Sequence, residues 1–192
     1  MPKIIDDENV YRVTVELFVK HGYESATAKK IAAAAEIHEA TLFRKYGSKE
    51  NLIGAAFDHL FPDTPLASVV YTGDLRADLL AIVEAYMETN EAYGEIVPSL
   101  LVQAGQYPEL RNTLERLLAN IQNITKIIRQ YQEEGLLIEE FPQITVSVLI
   151  GPVMARQLFR NAVSESSALL IDQQAYVDAF LRGRATSAWL SE

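Results

Sequence analysis

Apolar residues in this chain recur every three to four positions, and no useful stretch alternates with a period of two, so the pattern predicts an all-α protein. Val10, Val13, Leu17 and Phe18 share one face of a first helix over 7–21. Its acidic start (Asp6, Asp7, Glu8) suits the positive end of the helix dipole, and Gly22 is placed to end it. Thr27 can cap a second helix over 28–35, whose alanines permit close approach of a neighbour. A third helix spans 38–46 and stops at Gly47; Ser48 then caps a fourth that runs to 61, with Leu52, Ile53, Phe57 and Leu60 inward. Further helices are expected over 74–93, 96–106 and, as one long element, 109–134. Pro98 and Pro108 fall in first turns, where proline is tolerated. Pro142 starts a helix to 163 that Gly151-Pro152 should kink, and Asp172 caps a last one carrying Tyr176, Val177, Phe180 and Leu181. Phe61-Pro62-Asp63-Thr64-Pro65 is the best boundary signal, dividing the chain into residues 1–61 and 62–192.

Composition narrows the classes. At 192 residues, 49% hydrophobic and 22% charged, the chain can bury a core and is far from disorder. The longest apolar run, 144–155, is interrupted by Ser147, Gly151 and Pro152 and is too short to span a bilayer. The start, MPKIIDDENV, has acids where an export signal needs an apolar stretch, so a cytoplasmic location is expected. Without cysteine there is neither a disulfide framework nor thiolate chemistry. His21, His38 and His59 lie on separate predicted helices without ligand-like spacing, and Glu133-Glu134 and Glu139-Glu140 flank a turn as solvated charge. With no nucleophile elbow, phosphate-cradling glycine loop or metal motif, an enzyme is disfavoured and no cofactor or metal is expected.

The net charge of −9 is unevenly spread. Residues 61–192 carry −8, whereas Thr27–Lys49 holds five cations against two acids, a net of +3. Ile31, Ala32, Ala35, Ile37 and Leu42 can form a small apolar seam between two short helices, with only Glu36-Ile37 to turn between them. This is a helix-turn-helix, a device that lays its second helix in the major groove of DNA. His38, Glu39, Thr41 and Lys45 would face the groove, and Arg44 adds charge to the same helix. Thr27, Lys29, Tyr46 and Lys49 could clamp phosphates on both sides, Lys49 at a helix N-terminus that already favours an anion.

The coupled positions Thr27, Ile31-Ala32, Thr41-Leu42-Phe43 and Ser48-Lys49-Glu50, preceded by Leu17-Phe18 and Gly22-Tyr23, resemble the N-terminal domain of the tetracycline repressor (TetR) family over residues 10–60. There are departures. Glu36 stands where the family usually has a turn glycine, His38 where a serine cap is common, Glu39 where a basic or polar residue is usual, and Phe43 in place of tyrosine. Glu36, Glu39 and the acidic body lend weight to an alternative, a helical interaction protein of the same fold that has lost specific DNA binding.

The resemblance implies an N-terminal helix-turn-helix domain and a larger C-terminal helical domain for ligand binding and dimerisation. It further implies a homodimeric repressor on a palindromic double-stranded operator, released by an unknown small-molecule effector. Two late helices, 144–163 and 173–189, would pair with their copies through Val146, Leu149, Ile150, Val153, Phe180 and Leu181. For the effector, Tyr86, Tyr93, Tyr107, Tyr131 and Phe159 offer aromatic walls, and Met87, Leu101, Ile124 and Ile128 apolar surface. Ordinary core packing is the competing reading of each.

Overall fold

The computed structural model describes residues 6–162 and 171–190. Its helices are α1 (Asp7–Ser25), α2 (Ala28–Ala34), α3 (Glu39–Tyr46), α4 (Lys49–Leu60), α5 (Leu75–Tyr93) and α6 (Ile96–Gln106). They continue as α7 (Arg111–Asn120), α8 (Gln122–Glu133), α9 (Pro142–Ala162), α10 (Gln173–Arg184) and a short α11 (Ser187–Leu190). The fold is all-α; the described residues hold no strand, only an isolated antiparallel bridge between Leu137 and Ala185. No described helix is long and apolar enough to cross a membrane. The chain packs as two units, one made of Met1–Thr64 with Thr89–Asn120, the other of Pro65–Glu88 with Ile121–Glu192. By packing, α6 and α7 group with the first four helices.

In the first unit the expected caps form. Thr27 Oγ1 accepts from Lys30 N at 3.3 Å, and Ser48 Oγ from Asn51 N at 3.1 Å. Val10, Val13, Ile31, Ala32, Ala35, Leu42 and Leu52 make one buried cluster, flanked by the half-buried Tyr11, Leu17, Ile37 and Tyr46. Full burial of an Ile, Leu or Val in such a cluster contributes roughly 1.5–3 kcal/mol. Phe18 meets Phe57 edge-on at 5.4 Å, tying α1 to α4. On the other side of α4, Arg116 of α7 donates to Asp58 Oδ1 at 2.8 Å.

Two chain reversals aim the short helices. At the end of α2, Ile37 N–H donates to the Ala32 carbonyl at 2.9 Å and Glu36 N–H to Ala33 at 3.3 Å, the paired bonds of a Schellman turn. That turn needs a left-handed residue, and Glu36 adopts φ 55. A side chain in this region costs roughly 1–2 kcal/mol that glycine avoids. At the end of α1, helical geometry breaks at Gly22 (φ 76, ψ 171), so the helix stops where the sequence places its stop and Tyr23–Ser25 form a separate turn. Tyr23 N–H then donates to Gln103 Oε1 of α6 at 3.2 Å.

The second unit buries Leu79, Ile82, Val83, Tyr86, Ile124, Ile128, Tyr131, Leu149, Val153, Val177 and Leu181. Its polar centre is Asp78 of α5, which is 1% exposed and accepts from Thr72 N (2.8 Å), Thr72 Oγ1 (2.5 Å) and the Tyr131 hydroxyl of α8 (2.5 Å). Arg76 of α5 forks onto Asp178 of α10 at 2.7 and 3.2 Å. Arg184 pairs with Glu140.

Two elements differ from the expected pattern. The long helix over 109–134 is a 3-10 turn (Pro108–Leu110), α7 and α8, broken at Ile121 (φ −100, ψ 13). The apolar series Leu110, Leu114, Leu117, Ile121, Ile124, Ile128 and Tyr131 keeps helical spacing across the break, so hydrophobic periodicity carries no sign of it. α10 ends at Arg184, short of the expected 189. α9 runs through Gly151-Pro152 without interruption, while its expected end at Val163 lies outside the described residues. Pro152 has no N–H for the Val148 carbonyl four residues back. The Tyr176 hydroxyl of α10 comes to 3.3 Å from that carbonyl and donates at 2.7 Å to the next one, Leu149.

A Cβ on Gly22 would lie 2.9 Å from Gln103 Nε2, on a backbone conformation reserved for glycine. Gly22→Ala should therefore lower unfolding stability by about 2–3 kcal/mol, combining backbone strain with displacement of Gln103, read as a reduced urea midpoint at unchanged slope.

Candidate nucleic-acid interface

Burial of Leu42, with Thr41 and Tyr46 half-buried beside it, fixes the rotation of α3. Glu39, Ala40, Phe43 and Arg44 then point outward, and Phe43 stands 47% exposed. Phe43 thus belongs to the outward face of α3, one residue after the buried Leu42. Thr41 sits on the flank of this face, not at its centre. His38 takes the N-cap position with extended backbone, but its exposed side chain makes no capping bond. Glu39 in the first turn and Arg44 and Lys45 in the last agree with the dipole of α3.

The cations fall into two groups. Thr27, Lys29 and Lys30 are exposed at the start of α2, and Arg44 is exposed on α3. Among the described residues no ion pair holds Lys29, Lys30 or Arg44. Lys45 and Lys49 are engaged by the chain itself. Lys45 Nζ donates to both carboxylate oxygens of Asp7 on α1, and the Tyr46 hydroxyl donates to Asp7 Oδ1 at 3.0 Å. The Lys45 hydrogen bond, against partial burial, holds the Asp7 carboxyl below the usual carboxylate range, while burial foremost raises the Tyr46 phenol. Lys49 Nζ donates to the Tyr23 carbonyl at 2.9 Å and lies 3.6 Å from the centre of the Tyr23 ring, a cation–π contact. Asp7 is the residue that sequence reading assigned only to the helix dipole; the Asp7–Lys45 separation of 38 residues leaves no periodic signal.

The nine aromatic and apolar residues considered for an effector are divided between the two units. Tyr93, Leu101 and Tyr107 belong to the first unit. There Tyr93 borders a groove of about 610 Å³ with Val15, Val19 and Leu60, and Tyr107 stacks 4.7 Å from Tyr23. In the second unit Tyr86, Ile124, Ile128 and Tyr131 are fully packed, Tyr131 with its hydroxyl on Asp78. Met87 is half-buried and takes a contact from Gln173 Nε2 at 3.3 Å. Leu101 (39%) and Phe159 (65%) face outward. Of the residues considered for pairing, Leu149, Val153 and Leu181 are buried within one chain, Ile150 and Phe180 nearly so, and Val146 half-buried. On α9 the exposed apolar side chains are instead Ile144, Val148, Leu158 and Phe159. Among the described residues no cluster of His, Asp and Glu is arranged to hold a metal ion.

Tyr23 also donates to Glu50 of α4, and this hydrogen bond, against partial burial, lowers the Glu50 carboxyl from its ordinary value. A carboxylate with a lowered folded-state pKa contributes stability above its unfolded pKa and loses it as pH falls through the folded value. Tyr23→Phe should move the Glu50 titration up toward 4.5 by NMR. The variant should also lose less stability than wild type on acidification through the carboxylate range, since it has less of this contribution to lose.

Comparison with known proteins agrees with this architecture. Residues 10–56 match the profile described as bacterial regulatory proteins, tetR family, and residues 69–173 that of the tetracyclin repressor-like C-terminal domain. An uncharacterized HTH-type transcriptional regulator of Mycobacterium tuberculosis is 30% identical over 125 residues, 64% of this chain and 61% of that protein. The chain thus spans less than two thirds of that relative. The HTH-type transcriptional regulator TcmR of Streptomyces glaucescens is 26% identical over 207 residues, covering 95% of this chain and 85% of its own. A crystal structure of a tetR family transcription regulator from Shewanella sp. PV-4 shares the fold, with a TM-score of 0.71 at 22% identity over 94% of this chain and 98% of that one. The family and these relatives are regulators of transcription, not enzymes. With a helix-turn-helix of the family's pattern and a second profile spanning more than half of its length, the chain belongs to the TetR family of DNA-binding transcriptional regulators.

Proposed function

We propose that this protein is a homodimeric repressor that reads a palindromic operator through α3 and is released when a small molecule binds its C-terminal part. Residues 1–61 carry the DNA contacts in this reading, and 62–192 the sensing and pairing. The observation that carries it is the reading head. A short helix with Glu39, Ala40, Phe43 and Arg44 outward packs beside α2, at whose start Thr27, Lys29 and Lys30 are exposed. In this reading His38, Thr41 and Arg44 meet base edges, while Thr27, Lys29, Lys45, Tyr46 and Lys49 act on phosphates. Glu39 can accept from a cytosine amine, which contributes to sequence choice.

Dimerisation is supported by the outer face of α9. Ile144, Val148 and Phe159 are 46%, 37% and 65% exposed, and with Pro152 and Ala155, also exposed, they follow helical spacing. An apolar stripe of this kind on a regular helix fits a copy of itself across a two-fold axis. A dimer sets two α3 helices about one DNA turn apart, roughly 34–36 Å, and adds their affinities. Effector release follows if the effector binds more tightly to a dimer whose reading heads are misplaced for the operator.

Fluorescence anisotropy with the gene's own upstream DNA, against random DNA, across a salt series tests the DNA reading. Specific binding should weaken steeply with salt. Lys49→Ala should weaken binding to every sequence, and Thr41→Ala selectively to the operator. Absence of any salt-dependent binding by the wild type would leave the interaction-protein alternative standing. Replacement of Val148 and Phe159 together by aspartate should give monomers by sedimentation velocity and a much weaker operator complex; a dimer that persists would move the interface elsewhere.

A further inference from the structure

Resting on the DNA-binding reading, a second role emerges for the acidic start of α1. Asp7 receives an ammonium from Lys45 and a phenol from Tyr46, two adjacent residues at the C-terminal end of α3. An ammonium and a hydroxyl converging on one anionic oxygen pair are also the donors that a DNA phosphate takes. The arrangement is held in place: the Tyr46 ring packs edge-on against Tyr11 at 6.0 Å, and Lys45 Nζ lies 5.6 Å from the Tyr46 ring centre. It is also open to exchange. The Lys45 and Asp7 side chains are 37% and 41% exposed, and an exposed pair of this kind is weak enough to be displaced by another anion.

We propose that Asp7 is a phosphate surrogate: in the free protein its carboxylate occupies the anion position on Lys45 and Tyr46, and DNA binding exchanges it for a backbone phosphate. Asp7 touches no DNA in its engaged position; it acts through Lys45, as a positioning residue that keeps the two donors extended and converged. It also lowers net affinity, because each complex must first release the internal partner. Since the exchange involves phosphate and not base edges, it alters affinity for all sequences together.

The test uses the full chain, with Asp7→Asn, Glu8→Gln, Lys45→Ala and the Asp7→Asn/Lys45→Ala double variant titrated onto labelled upstream and random duplexes over a salt series. Glu8 is exposed on the same helical turn, so its neutralisation controls for charge alone. Asp7→Asn should bind both duplexes about three- to tenfold more tightly than wild type, and Glu8→Gln less than about twofold. Lys45→Ala should weaken binding and reduce the salt slope by about one phosphate's worth. In the Lys45→Ala background, Asp7→Asn should add no more than the Glu8→Gln effect. Asp7→Ser, which keeps a residue suited to a helix start, should repeat the gain if asparagine disturbs the fold. Binding by Asp7→Asn and Asp7→Ser no tighter than wild type, or a gain undiminished without Lys45, overturns the surrogate role and leaves DNA binding intact. Loss of salt-dependent binding in wild type and every variant overturns the DNA reading and this inference with it.

Discussion

The direction of α3 depends on one backbone reversal, in which the chain leaves α2 at Ala35, turns left-handed at Glu36 and re-enters a helix after His38. The two bonds of that turn run to Ala32 and Ala33, and the alanines beside them let Leu42 settle on Ile31 and Ala32 within one small cluster. A bulkier seam would push the helices apart, and a residue unable to go left-handed would misdirect α3. Every outward side chain on α3 inherits its position from this turn. The conformational strain of a glutamate there is therefore placed where the reading geometry is set, and it is offset by the packing of the cluster around it.

The helices around α3 satisfy two of their own cations. Lys49 lies on the Tyr23 ring and carbonyl, and Lys45 on Asp7. These contacts knit α1, α3 and α4 into one body, since Tyr23 also reaches Glu50 and Tyr46 also reaches Asp7. The exposed Lys29, Lys30 and Arg44 then provide the charge that is not held in any ion pair of the described residues. In a protein with net charge −9 the positive residues of this segment are clustered locally, and two of them, Lys45 and Lys49, also have internal partners.

Much of the fold was legible because helix caps and stops are local. Thr27, Ser48, Asp172 and Gly22 act where their spacing places them. The break at Ile121 was not, because its apolar stripe continues in phase on both sides while α7 and α8 pack into different units. In the site, coupled positions marked the reading helix, but its rotation follows from the burial of Leu42, which brings Phe43 out and sets Thr41 aside. The Asp7–Lys45 contact joins residues far apart in sequence, and no local pattern encodes it. On α9, apolar residues occur on more than one face; the sequence does not say that Leu149 and Val153 go inward and Val148 and Phe159 stay out.

The proline of α9 has a wider consequence. Pro152 leaves a carbonyl without its helical donor, and the hydroxyl of Tyr176 comes from a different helix to that spot, so the two residues complete one hydrogen-bonding arrangement between them. The contact lies on the element whose outer face carries the exposed apolar stripe. The two positions are thus chemically coupled: replacing Pro152 restores a backbone N–H for the Val148 carbonyl, which then has a donor of its own helix beside the Tyr176 phenol.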